Sequence, residues 1–142
     1  MKYMYLEAEV GGCLGPRSVI DPDRRRWTIH KLHYMFEVWL GDQILTAVTC
    51  HIATRALADR LRAARLTGFM LADVEIDRSE EFRELYPNRQ LPPFVWVQIV
   101  GVKGQDDFFM TQTPQRLVVS ERAWAVIEPY AARARVSEYD EG

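Results

Sequence analysis

Hydrophobic residues recur along the chain with two periods, and the change from one to the other marks out its elements. Apolar and polar positions alternate from Tyr3 to Val10, as in a strand with one buried face, and Gly11-Gly12-Cys13-Leu14-Gly15-Pro16 then reads as a loop. Trp27 to Leu40 alternates over a longer run. Leu32, Tyr34, Phe36, Val38 and Leu40 share one face, and His33, Met35, Glu37 and Trp39 the other. Gly41-Asp42 interrupts it and Ile44 to Val48 resumes, which predicts a hairpin across Gly41-Asp42.

The period then lengthens. Ile52, Ala53, Ala56, Leu57, Leu61 and Ala64 fall on one helical face, with Arg55, Asp59, Arg62 and Arg65 opposite. Thr49 is the expected N-cap and Gly68 the expected left-handed residue beyond the end. Phe69 to Ile76 reads as a strand, and Asp77 or Ser79 caps a short helix that Pro87 stops. Phe94 to Val100 is apolar at nearly every position, so it is expected to be a central strand covered on both faces. Lys103 to Asp107 is a polar connection, Phe108-Phe109-Met110 a short apolar run and Thr113-Pro114-Gln115 a turn. Leu117-Val118-Val119 runs into a helix capped by Ser120 and ended by Pro129, and Val136 to Tyr139 adds a last strand.

These elements define an α+β fold in one domain over 1–142. A mixed, mostly antiparallel sheet is expected, with main helices at about 51–66 and 121–133 and a short one near 79–86. One pattern occurs twice: strand, hydroxyl cap, helix, strand, once from Leu45 to Ile76 and once from Leu117 to Tyr139. A hydroxyl cap is favoured wherever a strand feeds a helix, so the echo fits either a true repeat or a common local solution.

Composition narrows the function classes. An apolar fraction of 48% with 27% charged residues is that of an ordinary globular domain, and no run of about 18 apolar residues offers a membrane span. Glu7 and Glu9 interrupt the stretch where a signal peptide would need an apolar core, so a cytoplasmic protein is expected. Cys13 and Cys50 give no disulfide framework. A net charge of −2 argues against a protein whose main work is holding nucleic acid, and Arg24-Arg25-Arg26-Trp27 is a weak contrary signal.

Candidate chemistry is sparse. His30, His33, Cys50 and His51 are metal-capable, but on a strand His30 and His33 face opposite ways, so neither metal nor cofactor is expected. Cys50 at a helix start would have a lowered pKa, yet nothing locates a base for it. Asp106-Asp107 could serve acid–base work in a pocket shared with a histidine; as sequence neighbours on a loop, they more simply shape the turn. The most one-sided stretch is Asp73 to Glu84, with six acids against two arginines. It suits rapid encounter with a basic partner.

Several short segments, in order, resemble the small bacterial immunity proteins encoded beside polymorphic toxins. They are Met1-Lys2-Tyr3-Met4-Tyr5, Leu66-Thr67-Gly68-Phe69, Leu91-Pro92-Pro93-Phe94-Val95-Trp96, Gly101 with Asp106-Asp107-Phe108, and Leu117-Val118-Val119-Ser120-Glu121-Arg122-Ala123. The resemblance implies a non-enzymatic cytoplasmic protein that binds a cognate toxin domain and blocks its active site or substrate channel. One related group carries paired Cys-x-x-Cys-Gly motifs that this chain lacks, so no bound metal is implied. The family supplies no fixed set of functional residues. The candidate contacts are therefore the acids Glu75, Asp77, Glu80, Glu81 and Glu84, with Asp106 and Asp107.

Overall fold

The computed structural model describes residues 1–21 and 28–140. In chain order the strands are β1 (Tyr3–Glu7), β2 (Glu9–Val10), β3 (Gly12–Leu14), β4 (Val19–Ile20), β5 (Ile29–Lys31), β6 (His33–Phe36), β7 (Ile44–Ala47) and β8 (Cys50–Thr54). Helix α1 (Arg55–Ala63) leads to β9 (Phe69–Ala72) and β10 (Glu75–Arg78), and α2 (Glu80–Leu85) to β11 (Phe94–Ile99). Then come β12 (Phe108–Met110), β13 (Leu117–Ser120), α3 (Glu121–Ile127) with a 3-10 turn at Glu128–Tyr130, and β14 (Arg135–Glu138).

The strands form sheets ordered β2-β7-β8-β11-β9, β12-β13-β1-β14, β10-β6-β3 and β4-β5. Among the described residues only β10–β6 and β2–β7 run parallel, so the domain is α+β with mostly antiparallel pairing. One core lies where α1 and α3 meet the two larger sheets, with Leu57, Leu61, Ala123 and Ile127 packed against Leu6, Ala53, Val97 and Val119. A second, aromatic core of Tyr34, Phe36, Phe82, Phe94 and Trp96 fills the other side of the five-stranded sheet. Strand β11 is thus central and covered on both faces, Trp96 in one core and Val97 in the other.

The echo corresponds to two halves of matching topology that exchange a strand. In one half the hairpin β7–β8 feeds α1 and then β9, and β8 and β9 both pair with β11. In the other, β12–β13 feeds α3 and then β14, and β13 and β14 both pair with β1. Each half therefore donates its leading strand to the centre of the other's sheet. Register matches: Phe94 lies opposite the cap Thr54, and Tyr3 opposite the cap Ser120. Local bonds match too. The N–H of Thr54 donates to Gln43 O and that of Ser120 to Asp107 O, both at 2.8 Å. The cap hydroxyls donate to the side chains of those same two residues, and accept from Leu57 N and Ala123 N at 3.1 Å.

Several sequence expectations need correction. The first helix spans Arg55–Ala63, and its N-cap is Thr54, not Thr49; Cys50 to Thr54 is strand, every residue buried between β7 and β11. A strand covered on both faces loses its alternation, which let it pass for a helix. Its left-handed end is Arg65, φ +58°, where bonds from Arg65 N to Arg62 O and from Leu66 N to Leu61 O close a Schellman motif. Gly68 also has positive φ, but lies further on. The third helix ends at Ile127, before the turn at Pro129.

No hairpin crosses Gly41-Asp42. Strand β6 pairs with β10 and β3, while β7 turns into β8 through Val48-Thr49. Alternation in the Trp27–Leu40 run fails after Phe36, since Trp39 is buried and Leu40 exposed. The Gly11–Pro16 loop contains β3, which is possible because Gly12 lies so close to β6 that an added Cβ would sit 1.8 Å from Met35 O. Phe69 to Ile76 divides into β9 and β10 in different sheets.

If the two caps are equivalents, Thr54→Ala and Ser120→Ala should each lower stability by about 1 kcal/mol. The Ser120 change should be the larger, because the donor it removes serves a buried carboxylate, whereas Thr54 donates to a neutral amide oxygen. Urea unfolding of the two variants measures the difference.

Candidate functional site

Strand β10 and helix α2 carry the acids nominated from sequence. Ser79 caps α2, its hydroxyl accepting from Phe82 N at 3.1 Å, while Phe82 buries the helix in the aromatic core. That leaves Glu80, Glu81 and Glu84 exposed around it. Leu85, in the same helix, is 66% exposed, a large apolar side chain among the carboxylates.

Glu75 and Asp77 sit two residues apart on β10 and so share a face. Both already hold cations. Arg17 Nε pairs with Glu75 Oε2, and its Nη2 lies 3.4 Å from Asp77 Oδ2; Arg83 Nη2 lies 3.2 Å from Asp77 Oδ1. The guanidinium of Arg17 holds the Glu75 carboxyl below its ordinary pKa, and the Arg78 N–H together with Arg83 does the same for Asp77. His33 sits behind them, its side chain sealed from solvent. Its Nδ1 accepts from Arg17 N at 3.1 Å, and its Nε2 lies 3.5 Å from Glu75 Oε2. Because Nδ1 is an acceptor, the neutral ring carries its proton on Nε2, facing the carboxylates.

The outer edge of β10 is guarded. Arg78 N donates to Asp77 Oδ1 at 2.8 Å, and Arg78 O accepts from Arg83 Nε at 3.3 Å. Those side chains occupy backbone groups that another strand would otherwise pair with. A groove of about 520 Å³ between this edge and Leu91-Pro92-Pro93-Phe94 is lined by Asp77, Arg78 and Arg83.

Asp106 and Asp107 have been given different tasks. Asp106 Oδ2 accepts from Val102 N at 2.6 Å and shapes the loop, as expected. Asp107 is fully buried, so it is withdrawn from any contact surface, which corrects its place among the candidate contacts. Its oxygens accept from Ser120 Oγ at 2.5 Å, Thr67 N at 2.9 Å, and Arg122 Nη2 at 2.9 Å and Nε at 3.2 Å. Burial alone would raise its pKa, but the donors from Arg122, Ser120 and Thr67 outweigh it and hold the carboxyl at about 2.

The four metal-capable residues are dispersed. His30 is exposed beside Asp21, His33 lies under β10, and Cys50 and His51 are buried in β8. Burial pushes the Cys50 thiol up to about 12, the reverse of the lowering expected at a helix start. Arg24 to Trp27 lies outside the described residues. No helix among the described residues is long and apolar enough to cross a membrane. Sequence reasoning missed Arg17, whose acidic partners are about 60 positions away, and Leu85, whose spacing from Phe82 suggests a core position.

Comparison with models of known protein families finds no match, and neither does comparison with curated proteins.

Asp107 makes stability depend on acid. Its pKa is lowered from 3.8 to about 2 on folding, so its contribution is fully present above about pH 5 and lost as pH falls towards 2. The shift corresponds to about 2 kcal/mol. Asp107→Asn should therefore be destabilised by about that amount at neutral pH and show a flatter stability curve between about pH 5 and pH 2 in urea titrations. Parallel wild-type and variant curves would rule this out.

Proposed function

We propose that this chain is an immunity protein that binds a cognate bacterial toxin domain in the cytoplasm and occludes its active site, performing no reaction itself. One observation carries the reading: α2 presents Glu80, Glu81 and Glu84 to solvent around an exposed Leu85, directly after the carboxylate pair Glu75 and Asp77. Acids speed encounter with a basic surface, and a projecting apolar side chain supplies an anchor once contact is made. A complex of ordinary size would bury on the order of 1,600 Å².

Co-expression with the C-terminal domain of whatever protein the neighbouring reading frame encodes tests the proposal, which requires that domain to be toxic on its own. Cells should survive only when this chain is present, and survival without it would refute the assignment. In a purified pair, Glu80→Lys/Glu81→Lys/Glu84→Lys should slow association by about tenfold at low salt and much less at high salt. An unchanged rate at low salt would remove α2 from the interface.

A further inference from the structure

Strand β14 closes one side of the four-stranded sheet, and among the described residues nothing pairs with its far edge. All of its residues, Arg135 to Glu138, are exposed, Val136 at 41%. The ladder shows which backbone groups that edge offers. Glu121 N donates to Lys2 O at 3.0 Å and Met4 lies opposite Val119, so Lys2, Met4 and Leu6 bond towards β13. Tyr5 and Glu7 therefore bond towards β14, opposite Ser137 and Arg135. The N–H and C=O groups of Val136 and Glu138 point the other way, into solvent. At the edge of β10, side chains of Asp77 and Arg83 occupy the equivalent groups; the edge of β14 has no such guard among the described residues.

We infer that a second copy of this chain pairs antiparallel with β14, about a two-fold axis normal to the sheet, and joins the two four-stranded sheets into one. Charge selects a copy of the same strand. Arg133 precedes β14 and Arg135 starts it, while Glu138 ends it and Asp140 follows. Glu7, opposite Arg135, is already paired with Arg116, so the starting end stays basic. A groove beside the finishing end carries Glu121 and Glu138 against Lys2. The complement of a strand that runs from basic to acidic is the same strand reversed, and two copies satisfy both ends at once. Parallel pairing would set like charges together.

Hydrogen bonding fixes the register. Outward residues must meet outward residues, and Glu138 opposite itself would oppose two carboxylates. Val136 opposite itself would leave Glu138 beyond the start of the second β14. Val136 opposite Glu138 of the second copy uses both outward residues of each strand and makes about four hydrogen bonds. Ser137 then faces Ser137 of the second copy as a non-hydrogen-bonded pair, and Arg135 faces Tyr139, a guanidinium beside an aromatic ring. The two-fold axis keeps the same face of both sheets on one side. The groove of about 590 Å³ lined by Met4, Val136 and Glu121 thus meets its counterpart across the seam.

Sedimentation velocity of the intact chain at low salt tests the pairing. A species of twice 16.5 kDa should accumulate reversibly as concentration rises. Val136→Pro removes an outward N–H and spares the bonds to β1, so this variant should stay monomeric with an unchanged circular dichroism spectrum. Arg135→Glu should weaken the dimer about tenfold at low salt. Arg135→Glu/Glu138→Arg, which reverses the pattern end for end, should restore it. In a Cys13→Ser background, Ser137→Cys should cross-link the dimer on mild oxidation, since non-hydrogen-bonded partners lie about 4.5 Å apart at Cα. Should Val136→Pro fail to fold, the charge variants and the cross-link still decide. A monomer throughout, growth beyond a dimer, a dimer indifferent to a folded Val136→Pro or to the charge reversals, or no cross-link in the Ser137→Cys variant would overturn the inference.

Discussion

Asp107 ties together segments that are far apart in sequence. It opens β12, accepts from the cap of α3, and receives the Thr67 N–H beyond the end of α1. Arg122 completes the junction: besides gripping Asp107, its guanidinium donates to the carbonyls of Ala64, the C-cap of α1, and of Arg65 just beyond it. A single carboxylate and its cation thus join the end of one half's helix to the start of the other's. The opposite junction has a neutral side chain at the equivalent position, with the buried Asp42 beside it accepting from Arg133 N at 2.9 Å. Gln43 takes the place of Asp107, its N–H donating to Tyr130 O at 2.9 Å past the end of α3, and its side chain accepting from Thr54. A neutral amide and a buried carboxylate held by a half-exposed arginine occupy equivalent positions.

That constraint positions the surfaces. With α1 and α3 held in one core, the five-stranded sheet is free to use its other face for the aromatic core. The small β10-β6-β3 sheet and α2 rest on that second core through Phe36 and Phe82, whose rings lie 6.1 Å apart. The acids are therefore displayed from an apolar base, with Glu80, Glu81 and Glu84 exposed to solvent. Arg17 and Arg83 moderate the field at Glu75 and Asp77, while Glu80, Glu81 and Glu84 keep theirs.

Much of this was legible in the sequence where local physics decides. Ser120 and Ser79 are caps because a strand or an extended residue meets a helical run there, and β11 is central because it is apolar on both faces. Cys50 to Thr54 was misread for the same reason that β11 was read correctly. Full burial erases alternation, and this segment's Ile52 and Ala53 happened to continue a helical stripe. Sheet membership was not legible: β6 and β7 are near neighbours in sequence but belong to different sheets. Nor was the fate of Asp106 and Asp107. Two identical residues side by side differ by complete burial, which depends on partners at Thr67, Ser120 and Arg122 that no local pattern reveals.

The exchanged strands also set an order of events during synthesis. Tyr3 to Glu7 leaves the ribosome well before both its hydrogen-bonding neighbours, Leu117–Ser120 and Arg135–Glu138. The earlier half must likewise wait for Phe94 to Ile99 before β8 and β9 have a strand between them. Neither sheet can be completed by the half that begins it, so the nascent chain carries open strand edges until Arg135–Glu138 has emerged. Vectorial translation thus meets an architecture in which β1 precedes β13 and β14 yet must wait for both.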